Sequence, residues 1–251
     1  MQHTNKNELI IVTGKHSVFE LIEKQPNQIK NIKVISKVLL TKYSSILKEY
    51  NIDVQVQKKL TNINEIDSNK TQGITAELKD FLYTDLQKYL KIASNYKKQT
   101  VLILDKINDP HNFGSLIRSA VQLGVDAIII PEKNQVKVTS TVIKTSVGAI
   151  WSIPIILVPN LVSTINLLKN NDFWIYGTNL SKNKTKLNET PFYEKIALIL
   201  GNEGNGISQK LSEKLDFNIF VPMTNLIDSL NVSVAGAIIM YHIFISQKNN
   251  E

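Results

Sequence analysis

Short apolar segments alternate with helical patterns through the second half of this 251-residue chain, and this alternation narrows the possible folds more than any other feature. The apolar segments are rich in β-branched residues and contain few polar ones, which is typical of parallel strands buried on both faces. They are Val101–Leu104, Val125–Ile130, Ile153–Val158, Phe173–Tyr176, Ile196–Leu200 and Phe217–Val221. The helical patterns are Ser115–Leu123, Thr139–Val147, Val162–Lys169, Ser208–Leu215 and Ser229–Ser246. Strands that alternate with helices predict an α/β domain with a mostly parallel sheet.

The first part of the chain predicts a smaller α/β domain. Its strand-like segments are Glu8–Val12, Ile52–Val56 and Gly73–Leu78. Ser17 follows a glycine turn and is placed to cap a short helix. The lysine- and tyrosine-rich stretch from Lys79 to Gln99 has only a weak helical period and contains the expected domain boundary. We therefore predict one domain over residues 1–80, a linker over 81–98 and a second domain over 99–251.

The positive charge is concentrated in the first part. Residues 1–98 hold 16 lysines against 10 acidic residues, whereas the rest of the chain is nearly neutral. Such an excess favours a surface that binds nucleic-acid phosphates, because each neutralised phosphate releases condensed counterions. A solvated lysine-rich surface explains the same excess. Lysine supplies all but one of the basic residues, and the single arginine is Arg118.

Several classes of protein are disfavoured. The chain has no cysteine, which excludes a disulfide framework and a thiolate metal site and suits a reducing cytoplasm. Its four histidines are widely separated, so no metal site is expected. The N-terminus is polar and lacks the apolar core of a signal peptide. The longest apolar stretch, Val232–Ser246, is shorter than the roughly 18 residues that a membrane span needs, and it predicts a buried helix.

The ligands of parallel sheets bind at the carboxyl ends of the strands, where three segments of this chain are rich in polar residues and glycine. The first is DKINDPHNFGSLIR, from Asp105 to Arg118. Pro110 and Gly114 shape a tight loop before a helix. Asn112 is expected to project from this loop, and Arg118 is expected one turn into the helix. Both side chains are predicted to face one cleft.

The second segment is LGNEGNGI, Leu200–Ile207. Three glycines directly after a strand indicate a backbone that approaches something closely, and Glu203 is a carboxylate held among them. The order of the glycines differs from the G-x-G-x-x-G pattern, which disfavours a nicotinamide cofactor. Taken alone, the segment is weak evidence for a ligand site, because most glycine-rich turns of this kind are plain turns.

The third segment is VPMTNLIDSLNVSVAGA, from Val221 to Ala237. Ser229 or Asp228 is expected to cap the last helix, whose first turn carries Asn231. The rest of that helix is apolar nearly all round, so its surface must be covered. A homodimer partner is a natural cover.

In this order the three segments resemble the motifs of the SpoU-type ribose 2′-O-methyltransferases of the SPOUT superfamily. The residues that carry the resemblance are Asn112, Gly114 and Arg118, then Leu200–Gly206, then Pro222–Ala235. In the first domain, GKHSVFEL from Gly14 to Leu21 and the Gln72-Gly73-Ile74 tripeptide resemble the appended substrate domain of large-subunit rRNA methyltransferases. That domain is similar to a small ribosomal RNA-binding protein.

The resemblance implies a trefoil knot in the second domain and S-adenosylmethionine as cofactor. It places the backbone of Gly201, Val221 and Leu230 around the adenine and ribose, with Thr178 nearby. It also implies a homodimer that forms through the C-terminal helix, and RNA, most closely rRNA, as the partner.

The implied reaction is methyl transfer to a ribose 2′-hydroxyl, with the closest likeness to enzymes that modify a guanosine in the peptidyl-transferase region of 23S rRNA. The family assigns activation of the hydroxyl to Arg118, while Asn112, Glu203, Ser229 and Asn231 orient the reactants. Arginine stays protonated in proteins, so Arg118 acts either as a strongly perturbed base or as a stabiliser of the developing alkoxide. Two alternatives remain, a tRNA ribose 2′-O-methyltransferase and a non-catalytic RNA-binding factor for ribosome assembly.

Overall fold

The protein forms two compact units. The computed structural model describes residues 9–60, 71–178, 184–202, 204, 206–224 and 229–248. The first unit comprises Met1–Leu82 together with Val138–Ser152, and the second comprises Tyr83–Lys137 and Ile153–Glu251. A short piece of the chain's middle therefore belongs to the N-terminal unit.

The first unit contains a four-stranded mixed sheet in the order β1-β4-β2-β3. Its strands are β1 (Ile11–Thr13), β2 (Ile29–Val34), β3 (Asp53–Val56) and β4 (Ile74–Leu78). Strands β1 and β2 are antiparallel to β4, and β3 is parallel to β2. Its helices are α1 (Lys15–Lys24), α2 (Ser44–Glu49) and α5 (Ser140–Thr145). Ser17 was predicted to cap a helix, and this is wrong: it is buried inside α1, which begins after Gly14 at a φ of 90°.

The segment from the chain's middle is tied into the first unit by polar and aromatic contacts. The backbone N–H of Ile11 donates to Ser140 Oγ at 2.9 Å, and Lys24 Nζ donates to Ser152 Oγ at 2.6 Å. The ring of Trp151, which is buried, has its centroid 5.9 Å from that of the Phe81 ring. This segment therefore completes the packing of the N-terminal unit.

The second unit contains a seven-stranded sheet in the order β7-β6-β5-β10-β8-β11-β9. The strands are β5 (Gln99–Asp105), β6 (Ala127–Pro131), β7 (Ile155–Val158), β8 (Trp174–Gly177), β9 (Thr185–Lys186), β10 (Lys195–Gly201) and β11 (Phe217–Phe220). Each neighbouring pair of these strands is parallel. The prediction of an α/β domain with a mostly parallel sheet is confirmed.

Helices cover this sheet and bury its apolar strands. They are α3 (Leu86–Ala93), α4 (Pro110–Gln122), α6 (Leu161–Lys169), α7 (Gln209–Ser212) and α8 (Val232–Lys248). Helix α8 approaches its neighbours closely through Gly236, where an added Cβ would lie 2.6 Å from Leu200 Cδ1 and 2.7 Å from Leu116 Cδ2. The opposite side of α8 exposes Val234, Ile238 and Tyr241. No helix within the described ranges is long and apolar enough to span a membrane.

Candidate active site

The predicted segments meet at the carboxyl edge of the seven-stranded sheet. Strand β10 pairs with β5 on one side and with β8 on the other. At its end, Gly201 lies in register with Asp105, the last residue of β5. Thr178 directly follows β8, and Val221 directly follows β11. Four strands therefore deliver their following loops to one edge, where parallel sheets bind their ligands.

Two hydrogen bonds join the loop after β10 to the loop after β5. Asn202 Nδ2 donates to the carbonyl oxygen of Lys106 at 3.1 Å, and the backbone N–H of Ser208 donates to Asp105 Oδ2 at 2.8 Å. Asp105 is buried, so its carboxylate serves the fold of this edge. The glycine-rich segment is thereby anchored at both ends.

The glycine-rich loop is closed too tightly to admit a side chain at its start. The backbone N–H of Gly206 donates to the Asn202 carbonyl at 2.7 Å. A Cβ on Gly201 would lie 2.1 Å from the carbonyl carbon of Gly206 and 2.3 Å from Ile207 N. Gly206 itself has a φ of 62°, a conformation that L side chains rarely adopt. The predicted close approach of backbone is therefore found within the loop.

Asn112 lies inside a helix rather than in a loop, contrary to the sequence-based prediction. Helix α4 already begins at Pro110, and Asp109 Oδ1 caps it by accepting from His111 N at 2.8 Å. Proline at the first helical position after an aspartate cap is a favourable helix start. Gly114 is therefore an ordinary helical residue, and Asn112 is buried in the first turn.

Asn112 and Asn231 are joined by a side-chain hydrogen bond. Asn231 Nδ2 donates to Asn112 Oδ1 at 3.0 Å, across 119 residues of sequence. Asn231 Oδ1 in turn accepts from the backbone N–H of Ser233 at 2.9 Å and from its Oγ at 2.6 Å. One asparagine therefore caps α8 and links it to the start of α4.

The cap of the last helix was predicted at Ser229 or Asp228, and for Ser229 this is wrong. Helix α8 begins at Val232, so Asn231 occupies the capping position and Ser229 precedes it as an exposed residue. Leu230 between them is partly buried. Asp228 lies outside the described residues.

Arg118 lies on the solvent side of α4. The helical period of 3.6 places it two turns after His111 on the same face, away from buried Asn112, and both His111 and Arg118 are exposed. Among the residues that the structure describes, Arg118 has no hydrogen-bond or ion-pair partner. Its prediction one turn into the helix is wrong, because α4 begins eight residues before it. Glu203 lies outside the described residues.

Backbone groups from neighbouring loops lie close together at the carboxyl edge. Its loops present backbone N–H and carbonyl groups, and a Cβ on Gly206 would lie 3.9 Å from the carbonyl oxygen of Thr178. Backbone groups of this kind fix the orientation of small cofactors in mostly apolar pockets. Met223 adds an exposed apolar side chain after β11. In the described ranges, no group of histidine and carboxylate side chains is arranged to hold a metal ion.

Sequence analysis missed the residues that hold this edge together. Asp105 and Asn202 were inside the predicted segments but received no role. Gln135 was not singled out, yet its Oε1 accepts from Ile107 N at 2.7 Å and so supports the loop before α4. A polar residue directly after a fully apolar strand was the signal for Asp105. Nothing in the local sequence marks Gln135.

Comparisons with known proteins identify relatives of this chain. Residues 99–241 match the SpoU rRNA Methylase family. A Staphylococcus saprophyticus protein assigned to the TrmH family tRNA/rRNA methyltransferases is 38% identical over 241 residues, which cover 94% of this chain and 96% of that protein.

Two solved structures share the fold. The AdoMet-bound rRNA methyltransferase of Sinorhizobium meliloti superposes with a TM-score of 0.79 at 19% identity and covers 94% of this chain and 86% of its own. The SpoU methyltransferase AviRb of Streptomyces viridochromogenes, solved with AdoMet, gives a TM-score of 0.77 at 18% identity, with coverages of 96% and 91%.

Proposed function

Because this chain belongs to the SpoU rRNA methylase family, and is therefore an RNA methyltransferase, we propose that it methylates a ribose 2′-hydroxyl of RNA. The methyl donor is S-adenosylmethionine. The expected target is a guanosine in the peptidyl-transferase region of 23S rRNA. The relatives' assignment to tRNA/rRNA methyltransferases makes tRNA the alternative substrate to test.

The hydrogen bond between Asn231 and Asn112 is the observation that carries the proposal. It joins the first and third family motifs at the edge where the glycine-rich second motif is anchored to β5. Three motifs that are distant in sequence thus converge in one place. Such convergence is expected of a site in which several elements position one reaction.

The cofactor supplies a methyl carbon that is already activated by a positively charged sulfur, so the protein's task is to position the acceptor. Backbone groups of Gly201, Val221 and Leu230 hold the adenosyl part in this proposal, and Thr178 lies beside it. Asn112 and Asn231 keep the starts of α4 and α8 in fixed register. Glu203 and Ser229 are assigned to orienting the RNA and the cofactor.

Arg118 is proposed to act on the ribose and its phosphate. Its exposure on α4 leaves the guanidinium accessible to RNA. A planar fork of donors fits phosphate and a developing alkoxide, and a guanidinium that stays protonated stabilises negative charge rather than removing a proton. Electrostatic stabilisation is therefore the role that this residue fits best.

The remaining expectations complete the proposed assembly. The basic N-terminal unit would grip RNA phosphates, and the second domain would contain the trefoil knot of the superfamily. The exposed apolar side of α8, formed by Val234, Ile238 and Tyr241, supports a homodimer, because such a stripe is typical of a protein interface. Sedimentation that shows a fully active monomer would exclude the dimer.

Arg118→Lys tests the proposed chemistry, because it keeps the charge and removes the planar fork. We expect methyl transfer from labelled S-adenosylmethionine to deproteinised rRNA to fall at least about 100-fold. Binding of the cofactor, measured by calorimetry, should stay unchanged. Near wild-type turnover would exclude the role of Arg118. Parallel reactions with tRNA show which of the two RNAs is the substrate. A protein that binds no cofactor would favour the alternative of a non-catalytic assembly factor.

A further inference from the structure

A concave surface lies at the amino edge of the seven-stranded sheet, at the opposite end of the strands from the site described above. It is a groove of about 830 Å³ whose lining includes the residues at or before the starts of β5, β8 and β10. Pockets of roughly 300–1,000 Å³ hold small ligands. Strand β10 has seven residues, so at about 3.3 Å per residue the groove lies about 20 Å from the carboxyl edge.

Exposed aromatic rings dominate this groove. Trp174 and Tyr193 are stacked, with ring centroids 4.4 Å apart and an interplanar angle of 18°. Their exposed fractions are 42% and 43%, and that of Tyr96, which also lines the groove, is 57%. Burial of large aromatic side chains is strongly favourable, so three exposed rings around one concavity indicate a surface that is covered by a partner.

Contacts with Phe217 and Tyr176 hold the stacked pair, Trp174 and Tyr193, in place. The ring of Phe217 lies 5.9 Å from both Trp174 and Tyr193. Tyr176 hydroxyl donates to the Pro191 carbonyl at 2.9 Å and accepts from Tyr193 N at 3.4 Å. The rings are therefore fixed before any ligand arrives, which lowers the entropy cost of binding.

The polar lining gives the groove a small excess of positive charge. Lys97, Lys98 and Lys195 line it together with only two carboxylates, Asp172 and Glu194. Lys97 Nζ lies 2.7 Å from Glu194 Oε1, with the lysine side chain 81% exposed. Exposed ion pairs of this kind are worth at most about 1 kcal/mol, so a phosphate can readily replace the carboxylate.

Rigid aromatic rings interleaved with lysines fit single-stranded nucleic acid, because the bases stack on the rings and the phosphates meet the cations. We propose that this groove binds unpaired nucleotides of the RNA that the enzyme modifies, at a distance from the reacting ribose. This inference rests on the proposed function for the identity of the nucleic acid. The groove would then contribute to the choice of RNA, since only an RNA with an unpaired stretch at the right distance engages both edges.

The fluorescence of Trp174 can be used to measure binding in the groove. The other tryptophan, Trp151, is buried and is removed by Trp151→Phe, so that Trp174 is the only tryptophan left to fluoresce. Titration with an eight-nucleotide oligouridylate and with a duplex RNA of equal length should quench Trp174 with the single strand and leave it unchanged with the duplex. Uridine monophosphate distinguishes a strand from a free nucleotide and should bind much more weakly.

Tyr96→Ala, at a largely exposed position, should weaken binding of the oligouridylate about tenfold, which is within the range for loss of one stacked base. Tyr96→Phe is the matched control and should bind normally, because stacking needs the ring and not the hydroxyl. Equal binding by Tyr96→Ala and the parent would overturn the proposal, and so would an unquenched Trp174. Quenching by an acidic peptide but not by RNA would instead identify a protein-docking surface.

Methyl transfer is measured on the same variants, so that failure of the inference and of the proposed function can be told apart. If the enzyme transfers methyl groups but RNA does not quench Trp174, the proposed function stands and the proposal for the groove is overturned. If the protein binds the oligonucleotide in the groove but transfers no methyl group, the proposed function is overturned and the proposal for the groove stands.

Discussion

Replacing Gly201 with alanine should damage the glycine-rich loop in a way that the structure quantifies. The added Cβ would lie 2.1 Å from the Gly206 carbonyl carbon, 2.2 Å from its oxygen and 2.3 Å from Ile207 N. Carbon atoms normally pack at about 3.5–4.0 Å, so the contact with the Gly206 carbonyl carbon is about 1.5 Å too short. All three obstacles are backbone atoms, which cannot rotate away as a side chain does.

The loop must therefore open or strand β10 must shift. Overpacking of this kind costs about 1–3 kcal/mol, and opening the loop also breaks the bond from Gly206 N to the Asn202 carbonyl, worth about 1 kcal/mol. Because the proposed cofactor site uses the closed loop, the free energy needed to close it in the variant lowers the affinity for the cofactor. Each 1.4 kcal/mol is tenfold, so we expect S-adenosylmethionine to bind at least about tenfold more weakly.

Calorimetric titration of Gly201→Ala with S-adenosylmethionine measures this effect, and thermal unfolding shows whether the sheet is affected as well. Gly204→Ala is the matched control in the same loop, because among the described residues its Cβ would meet only Asn202 Oδ1, at 3.5 Å, an ordinary contact. We expect its affinity to change less than about threefold. Wild-type affinity in Gly201→Ala would refute the reasoning, and equal losses in both variants would show that the clash at Gly201 is not the cause.

Two further predictions concern stability. Asn231→Ala removes the cap of α8 and the bond to Asn112, so urea titration should show the free energy of unfolding reduced by about 1–2 kcal/mol; Asn231→Asp keeps the cap oxygen and should recover about half of this loss. The hydrogen bond from Lys30 Nζ, 2.6 Å from Glu77 Oε1, holds the pKa of the Glu77 carboxyl below its usual value. Its stabilising effect is present above the unfolded-state pKa of about 4.3 and is lost as the pH falls through the lower folded-state pKa. When the pH is lowered from 7 to 3, the free energy of unfolding of Glu77→Gln should therefore fall by about 1 kcal/mol less than that of the parent protein. Equal falls in the two proteins would contradict this.

The strands of the large sheet could be predicted because burial on both faces leaves a continuous apolar sequence. Strands β5 and β10 are buried along nearly their whole length, and both were predicted to within a residue or two. Strand β2 was missed because its sequence, IKNIKV, mixes lysine and asparagine with isoleucine. In the structure these polar residues face outward or pair with Glu77. Where a strand is half polar, local sequence does not separate it from a loop.

The candidate site was predictable as a set of residues but not as an arrangement. Asn112 and Asn231 were both singled out, yet their hydrogen bond depends on how α4 and α8 pack, which no local pattern contains. The start of α4 was misplaced because Pro110 was interpreted as shaping a loop, although proline also suits the first turn of a helix. Gln135 escaped notice for the same reason, since its role depends on a partner 28 residues away.

The discontinuous N-terminal unit has a consequence for the order of events during synthesis. The ribosome delivers residues 1–82 first, but the unit still lacks the hydroxyl of Ser140 that pairs with Ile11 and the indole of Trp151 that packs near Phe81. These contacts can form only after residue 152 has been synthesised, and the chain segments of strands β5 and β6 precede that residue. The N-terminal unit is therefore completed only after part of the second unit has been synthesised.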